Sequence, residues 1–401
     1  MRGSLQIARL FGIPVFVHWS FSFLFLFIAY TSYADGYNWQ HVLLLSSYVL
    51  ALFGCVVLHE FGHVLSARYY GINTQDVTIL PIGGLARLNK IPEKPIQELV
   101  VAIAGPMVNV FICVILAFTL VFFFDAHLAL SEIASREQPR DLLFEVNETA
   151  SFLLLMARAN FWLVIFNMVP AFPMDGGRVF RALMAMRYNR TKATFTASLL
   201  GQIFAVGFLL IALLPLLKDF FSPETTLGKW LANPKWEVQP ILALVSFFIF
   251  SAARNEYKSV RIDEIMRRHT IANLLRTQYT ALRTIDLMQT PILEMRKGFE
   301  HSFLVFDDAT TLESEAKILR GVLQDEDTMI CDKNNDHNAL VLTYMTKDFE
   351  QTIPTESIKN VYDKMLETGQ YLMPVVNEKT LLGVVDMYAL QNFIASHDKV
   401  A

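Results

Sequence analysis

Two histidines and a glutamate lie close together inside a long apolar stretch of the chain. The segment VLHEFGH runs from Val57 to His63. In an α-helix, residues four apart share one face and are separated by about 6 Å along the axis. His59 and His63 can therefore bind one Zn²⁺, with Glu60 acting as general base on the attacking water. Such groups are costly in a membrane span unless they are used, which favours a metal site over a chance match.

A catalytic zinc ion needs a third protein ligand, and Asp175 is the candidate. It lies in the segment NMVPAFPMDGGR, which runs from Asn167 to Arg178. The two prolines break the helix and can turn the aspartate back towards the histidines, and Gly176 and Gly177 permit close backbone approach. The alternative is that Asp175 caps a helix beginning near Arg178. Spacing alone leaves the two interpretations open.

The elements that must position these residues are membrane spans. The chain has 401 residues, of which 53% are hydrophobic and 18% are charged. Its net charge of −4 gives no indication of nucleic-acid binding, and its three cysteines offer no disulfide framework. Stretches of about 20 apolar residues can cross a bilayer. We predict six spans, at 13–33, 42–70, 97–124, 150–170, 194–217 and 238–254.

Charge in the loops indicates the orientation of these spans. The short loops after the second and fourth spans are rich in lysine and arginine, whereas residues 125–149 hold six acidic residues and two arginines. The positive-inside rule then places both termini and both basic loops in the cytoplasm. The sequence thus predicts a multi-pass cell-membrane protein, with the bacterial inner membrane as its expected location.

The two motifs together resemble the site-2 protease family of intramembrane zinc metalloproteases. In that family an HExxH helix is joined by a downstream Asn-x-x-Pro-x-x-x-x-Asp-Gly segment, and the resemblance covers about residues 1–254. It implies that His59, His63 and Asp175 bind one zinc ion and that Glu60 activates water. It also implies that Asn167 steadies the substrate backbone or the developing oxyanion, although an amide in a helix bundle can instead bond a neighbouring helix.

A short segment at Asp76–Leu88, DVTILPIGGLARL, is too short and interrupted to span the membrane. It predicts a membrane-edge β-hairpin with Gly83 and Gly84 at the turn. The resemblance implies that this segment binds an unwound substrate strand, because a helical substrate hides its carbonyl groups and an open strand edge can hold the extended form. A purely structural hairpin is the alternative.

The composition changes near Arg254, so we expect a transmembrane protease domain at 1–254 and a cytoplasmic α/β domain at 257–401. Met345-Thr346, Leu372–Val376 and Leu382–Val385 resemble a cystathionine-β-synthase-type (CBS) repeat, with a weaker copy at Phe303–Asp307 and Arg320–Val322. Paired CBS repeats often bind adenine nucleotides. Here Asp386 and Ala389 replace the usual Thr or Ser and ribose-binding Asp, which leaves nucleotide binding and an architectural or dimerising role as alternatives.

These features predict a zinc-dependent intramembrane endopeptidase. Its substrate is expected to be a membrane-anchored protein, such as the precursor of a transcription factor or an anti-sigma factor, which cleavage would release into the cytosol. Homo-oligomers through the CBS-like domain are a further expectation. The alternative from another class is a CBS-gated transporter or channel for metal ions. That alternative predicts metal flux without proteolysis, and it does not explain why Glu60 and Asp175 both match a peptidase pattern.

Overall fold

The computed structural model describes residues 3–81, 83–88, 92, 94–124, 148–216, 239–298, 300–307, 318–378 and 380–398. Within these residues the chain forms two compact units, Met1–Tyr257 and Lys258–Ala401. The first unit consists of a small sheet and a set of apolar helices. The second is a mixed α/β unit.

A four-stranded sheet forms the first part of the membrane unit. Its strands are β1 (Ser4–Leu10), β2 (Ile13–His18), β3 (Thr74–Leu80) and β4 (Gly83–Leu88), in that spatial order. The β2–β3 pair is parallel and the other two pairs are antiparallel. The prediction of a hairpin at 76–88 is therefore right about β3 and β4, but it missed the two strands that extend the sheet.

The turn of that hairpin differs from the prediction. Gly83 and Gly84 are the first residues of β4, paired with Leu80 and Ile79 of β3, and do not form the turn. Gly83 has a φ of +136°, a backbone conformation that a residue with a side chain rarely adopts. The two glycines therefore begin the edge strand of the sheet.

Four helices are long and apolar enough to cross a membrane, judged by length and composition among the described residues. They correspond to the second, third, fourth and fifth predicted spans, and all carry large exposed apolar side chains suited to contact with lipid. The predicted acidic loop lies almost entirely outside the described residues. The four spanning segments are Trp39–Tyr69, Pro95–Phe123, Thr149–Asn167 and Arg190–Leu216.

The two outer predicted spans differ from expectation. Residues 13–18 form strand β2, so the first helix, α1, covers only Ser22–Ala34, which is 13 residues. An apolar run of strand length followed by an apolar helix reads as one span in sequence. The sixth predicted span is the apolar part of a longer helix, Pro240–Arg268, which continues through the change in composition near Arg254.

The remaining helices of the membrane unit are numbered in chain order. α2 begins after Asn38, whose side chain accepts a hydrogen bond from the His41 backbone N–H, and α3 begins at Pro95, where proline is well tolerated. The helices are α2 (Trp39–Tyr69), α3 (Pro95–Phe123), α4 (Glu148–Asn167), α5 (Asp175–Ala185), α6 (Arg190–Leu213) and α7 (Pro240–Arg268).

Small residues bring the functional helices into close contact. A Cβ atom on Gly62 of α2 would lie 2.6 Å from the Ala104 carbonyl oxygen of α3, so the two helices approach as closely as glycine permits. The sheet packs on the same helix, because Val15, Val77 and Ile79 share a core cluster with Phe61 and Val64. Helix α2 is therefore held between α3 and the sheet.

The second unit contains two copies of one arrangement. Each copy has a helix, two antiparallel strands and a closing helix. In the first copy a short strand, β5, also pairs in parallel with β6. The elements are β5 (Ala281–Arg283), α8 (Gln289–Arg296), β6 (Phe303–Phe306), β7 (Leu319–Leu323), α9 (Asp325–Lys333), α10 (Val341–Tyr344), α11 (Ile358–Thr368), β8 (Leu372–Asn377), β9 (Thr380–Asp386) and α12 (Met387–Asp398).

The two copies exchange backbone contacts in a symmetric way. Thr346, which precedes the second copy, forms a bridge with Val322 on β7 of the first copy. Arg276, which precedes the first copy, forms the corresponding bridge with Val384 on β9 of the second. Gly321 and Gly383 lie beside these bridges, where a Cβ atom would collide with the carbonyl oxygen of Thr346 or Arg276. The repeated Gly-Val pair is thus explained by close backbone approach.

Candidate metal centre

His59 and His63 of α2 meet Asp175, the first residue of α5, in a buried cluster. The Nε2 atoms of the two histidines are 3.1 Å apart. The Asp175 Oδ2 atom is 3.1 Å from His59 Nε2 and 3.2 Å from His63 Nε2. Both imidazoles are at least nine-tenths buried. Among the described residues, these three form the group whose donor atoms are close enough to share a metal ion.

The dimensions of this triangle fit a tetrahedral zinc site. With ligand atoms at ~2.0–2.1 Å from the metal, tetrahedral geometry separates any two ligand atoms by about 3.3–3.4 Å. The three observed separations, 3.1, 3.1 and 3.2 Å, are within a few tenths of an ångström of that value. Two imidazoles and one carboxylate leave a fourth position for water or substrate, which is the composition of a catalytic rather than a structural site.

The Nδ1 atoms of both imidazoles face away from the cluster and make hydrogen bonds. These bonds determine whether Nε2, inside the cluster, carries a hydrogen or a lone pair. His63 Nδ1 lies 2.7 Å from the Val101 carbonyl oxygen, which can only accept, so Nδ1 carries the hydrogen. His59 Nδ1 lies 2.6 Å from the Asn109 side-chain oxygen. In a neutral imidazole with hydrogen on Nδ1, Nε2 presents a lone pair. Two such lone pairs and a carboxylate oxygen converge here, an arrangement that a cation would stabilise.

Asp175 reaches the histidines because the chain before it folds tightly against its own helix. A Cβ atom on Gly176 or Gly177 would collide with the backbone of residues 168–172, so both positions require glycine. The helix α5 begins at Asp175 itself, and its N-cap residue is Met174, which makes no side-chain capping bond. The alternative in which Asp175 caps a helix starting near Arg178 is therefore wrong.

Electrostatics keep Asp175 in the form that a metal ligand needs. Burial alone would raise the pKa of its carboxyl group. Whenever His59 or His63 carries a proton on Nε2, it donates that proton to Asp175. These hydrogen bonds, together with the charge of protonated His63 and the charge of Arg178, outweigh burial and hold the pKa of Asp175 below its ordinary value. The group is thus a carboxylate at neutral pH.

Glu60 lies between the metal cluster and the edge strand β4. A Cβ atom on Gly84 would lie 2.6 Å from Glu60 Cγ, so the backbone of β4 passes directly against this side chain. Glu60 is half-buried, unlike its two histidine neighbours. The other edge of β4 pairs with no named strand in the part of the chain that the structure describes. A free strand edge and a carboxylate therefore lie side by side.

Asn167 is the last residue of α4 and is half-buried. Among the described residues, no hydrogen bond joins its amide to His59, His63 or Asp175. It precedes the tight turn that delivers Asp175, which brings it to the same end of the helix bundle. Its assignment to substrate binding stays a prediction.

Three residues of α3 and one of α4 serve the cluster although sequence reasoning gave them no role in it. Gly105 lies against both imidazoles, Val101 accepts from His63, and Asn109 bonds His59 on one side and Asn160 of α4 on the other. Their role depends on the contacts between helices, which the structure shows. A signal exists in hindsight, because Val101, Gly105 and Asn109 recur every four residues on one helix face.

A cavity of about 330 Å³ adjoins the site between β4, α3 and α5. Three guanidinium groups line it: Arg87 pairs with Asp76 and Arg181 pairs with Glu98, whereas Arg178 makes no direct ion pair within the described residues. Burial would lower the pKa of Arg178, but the charges of Asp175, Glu256, Glu60 and Glu98 raise it, so the group stays cationic. The cavity begins at Ala86, two residues along β4 from Gly84.

The fold and the cluster define a polytopic membrane protein with a candidate three-ligand metal centre in its helices. The family model for peptidase family M50 matches residues 47–214, which include the histidines and the aspartate. A zinc metalloprotease of Methanocaldococcus jannaschii is 32% identical over 268 residues, covering 67% of this chain and 64% of the relative. The chain thus spans just under two thirds of that relative's length.

Two solved structures are also similar. The site-2 protease from Methanocaldococcus jannaschii is 30% identical, with 63% of this chain and 95% of that chain covered and a TM-score of 0.43. The CBS domains of a transcriptional regulator from Streptococcus pneumoniae are 22% identical, with 31% and 98% covered and a TM-score of 0.26. The chain therefore carries a domain of peptidase family M50, the site-2 protease family of zinc metalloproteases.

Proposed function

We propose that this chain is a zinc-dependent intramembrane endopeptidase. The observation that carries the proposal is the convergence of His59 Nε2, His63 Nε2 and Asp175 Oδ2 within 3.2 Å of one another. His59, His63 and Asp175 would hold the zinc ion. When bound, Zn²⁺ supplies Lewis-acid polarisation of the scissile carbonyl and makes water more acidic.

The chain's own residues supply the remaining chemistry. Glu60 takes a proton from the attacking water as the new C–O bond forms, and it returns that proton to the amide nitrogen as the C–N bond breaks. Asn167 donates a hydrogen bond to the substrate backbone or to the developing oxyanion. Burial of the histidines excludes bulk water, so the carboxylate acts in a medium where its interactions are stronger than in water.

The substrate would bind as an extended strand on the free edge of β4. Hydrolysis requires an exposed carbonyl group, and a transmembrane helix hides its carbonyl groups in internal hydrogen bonds. Pairing with Gly83, Gly84 and the residues after them would supply replacement bonds while the scissile peptide lies against Glu60. Because Gly84 has no side chain, the backbone of β4 and the backbone of the bound substrate can both lie against the Glu60 carboxylate.

The cavity beside β4 supports a preference for an acidic side chain in the substrate. A strand paired with β4 would place one side chain about 7 Å from the scissile bond, at the height of Ala86. Arg178 lines the cavity and makes no direct ion pair within the part of the chain that the structure describes. An Asp or Glu side chain would complete the pair and offset the cost of burying the guanidinium.

The expected partner is a membrane-anchored protein, such as a transcription-factor or anti-sigma-factor precursor, whose cleavage releases a cytosolic fragment. We assign the protease function to residues 1–254 and a regulatory function to residues 257–401, with both termini in the cytoplasm and the bacterial inner membrane as location. Asp386 already accepts from the Ala389 backbone N–H and pairs with Arg276. This engagement favours an architectural or dimerising role over adenine-nucleotide binding.

The test is a Glu60→Gln variant assayed with a tagged membrane-anchored substrate. We expect cleavage to be lost while bound zinc, measured on the purified protein, stays at one ion per chain, because Glu60 is not a ligand. Asp175→Asn should lose both. Glu326→Gln, an exposed carboxylate-to-amide change on α9, is the matched control.

A metal transporter would behave differently in the same experiment. It would transport Zn²⁺ across the membrane of proteoliposomes, and Glu60→Gln would leave that zinc flux unchanged. Unimpaired cleavage by Glu60→Gln, or zinc flux without cleavage by the unmodified protein, would overturn the protease assignment.

A further inference from the structure

A buried chain of side-chain hydrogen bonds runs from His59 across α3 to α4. His59 Nδ1 lies 2.6 Å from Asn109 Oδ1, Asn109 Nδ2 lies 2.9 Å from Asn160 Oδ1, and Asn160 Nδ2 lies 2.8 Å from the Met156 carbonyl oxygen. Asn109 and Asn160 are completely buried. The Cys55 side chain of α2 is a further hydrogen-bond partner of Asn160.

The direction of this chain is fixed at its far end. The Met156 carbonyl oxygen has no hydrogen to donate, so Asn160 must present its NH₂ group to it and its oxygen to Asn109. Asn109 must then turn its NH₂ group to Asn160 and its oxygen to His59. An oxygen facing His59 Nδ1 requires the hydrogen on Nδ1, which leaves the lone pair on Nε2, inside the metal cluster.

The two imidazoles are therefore oriented by different means. His63 Nδ1 donates to the backbone carbonyl of Val101, which has only one polarity. His59 Nδ1 faces a side-chain amide, which presents an acceptor in one orientation and a donor after a 180° rotation. Only His59 therefore needs an additional residue, one that keeps the Asn109 amide from rotating its NH₂ group towards Nδ1.

We infer that Asn160, which contacts neither imidazole, selects the metal-binding tautomer of His59 by fixing the orientation of the Asn109 amide. This inference rests on the proposed zinc function. Without Asn160, the Asn109 amide can rotate and present its NH₂ group to His59. That orientation favours hydrogen on Nε2, and a protonated Nε2 cannot bind a metal ion. Asn109 and Asn160 are positioning residues.

The experiment measures zinc affinity of the purified full-length protein in detergent by competition with a chromophoric chelator. Asn160→Leu removes the anchor and keeps the branched shape of the side chain. We expect its zinc dissociation constant to rise by about 10–100-fold, as for other residues that orient a ligand. Ser151→Ala, at a buried polar position on the same helix outside the relay, should leave the constant unchanged.

The decisive variant is the double change Asn109→Asp with Asn160→Leu. A carboxylate accepts through either oxygen, so it cannot present a donor to His59 and needs no anchor. We expect Asn109→Asp to restore zinc affinity in the presence of Asn160→Leu to within about threefold of Asn109→Asp alone. A purely structural role for Asn160 predicts the opposite, because a second buried substitution does not repair a packing defect.

A measurement on metal-free protein separates this inference from the proposed function. The tautomer of His59 can be determined from the ¹³C shifts of labelled imidazole in the unmodified and Asn160→Leu proteins. We expect the Nδ1–H form in the first and a mixture in the second. Equal tautomer populations, or a double variant as weak as Asn160→Leu, would overturn the inference. Failure of the unmodified protein to bind zinc would instead overturn the proposed function.

Discussion

Gly105 of α3 lies directly against the His63 imidazole of α2, with no room for a methyl group between them. A Cβ atom at this position would collide with His63 Nε2 and would lie 2.8 Å from His59 Nε2. These are the two nitrogen atoms of the candidate metal centre. The glycine therefore provides the space in which the two rings converge.

We expect Gly105→Ala to weaken zinc binding by at least tenfold, because a shift of the rings by several tenths of an ångström takes Nε2 out of ligand distance. Chelator competition would measure the loss. Gly54→Ala on α2 is the matched control, since a Cβ atom there has no neighbour within 4 Å. If Gly105→Ala binds zinc as tightly as Gly54→Ala, the two imidazoles do not define the zinc site.

Gly84→Ala should separate catalysis from metal binding. Its Cβ atom would lie 2.6 Å from Glu60 Cγ and displace the general base, while the histidines on the buried side of α2 keep their places. A displacement of about 1 Å can cost ~100-fold in rate. The rate of cleavage of a tagged substrate should fall by about 100-fold, and the zinc content should stay unchanged. Loss of zinc along with cleavage would contradict this separation.

Arg181 should contribute more to stability than any surface arginine. Its guanidinium is fully buried, donates to Glu98 at 2.7 Å from Nε and to Glu256 at 2.7 Å from Nη1, and stacks on Phe172. Arg181→Met would leave the buried Glu98 carboxylate with only the more distant Arg190, at 3.8 Å, at a cost of roughly 3 kcal/mol in the free energy of unfolding.

Reversible unfolding in mixed micelles would measure this loss. Adding Glu98→Gln to Arg181→Met should recover part of it, because the unpaired charge is then removed. Arg267→Met, which breaks an exposed pair with Asp263, should change stability by less than about 1 kcal/mol. Equal effects of the two arginine changes would contradict the importance of burial.

Arg178→Gln should alter substrate preference rather than zinc content. In a panel of membrane-anchored substrates with Asp, Asn or Lys near the scissile bond, the unmodified protein should cleave the Asp substrate fastest. The ratio of Asp to Asn cleavage should fall by about tenfold in the variant, as expected for loss of one buried charge pair. Arg187→Gln, an exposed arginine just beyond the same helix, should leave the ratio unchanged.

The local parts of the site could be predicted from sequence. The spacing of His59 and His63 fixes their common face, and the glycines after Asp175 indicate the tight approach that the structure shows. Strands β6 to β9 and helix α11 also follow from short apolar runs and helical periodicity. In each case the information lies within one segment of chain.

What the sequence could not provide depends on contacts between distant segments. The sequence pattern merges strand β2 with the first helix, because a short and largely apolar run looks the same in a strand and in a span. The partnership of His59 with Asn109, 50 residues away, and of Asn109 with Asn160, 51 residues further on, depends on how three helices pack. No pattern within one helix specifies a hydrogen bond to another.

Four contacts of α3 come from one stripe of the helix, at Glu98, Val101, Gly105 and Asn109. Glu98 accepts from Arg181, and the Val101 carbonyl accepts from His63 Nδ1. Gly105 leaves space for both imidazoles, and Asn109 contacts His59 Nδ1. They span about 17 Å of helix axis. Adding or deleting a single residue between 98 and 109 would rotate part of this stripe by about 100° and dismantle the centre. An insertion beyond Leu120, which packs against Leu154 of α4, would change only the length of the helix, so tolerance to insertions should begin only in the last residues of α3.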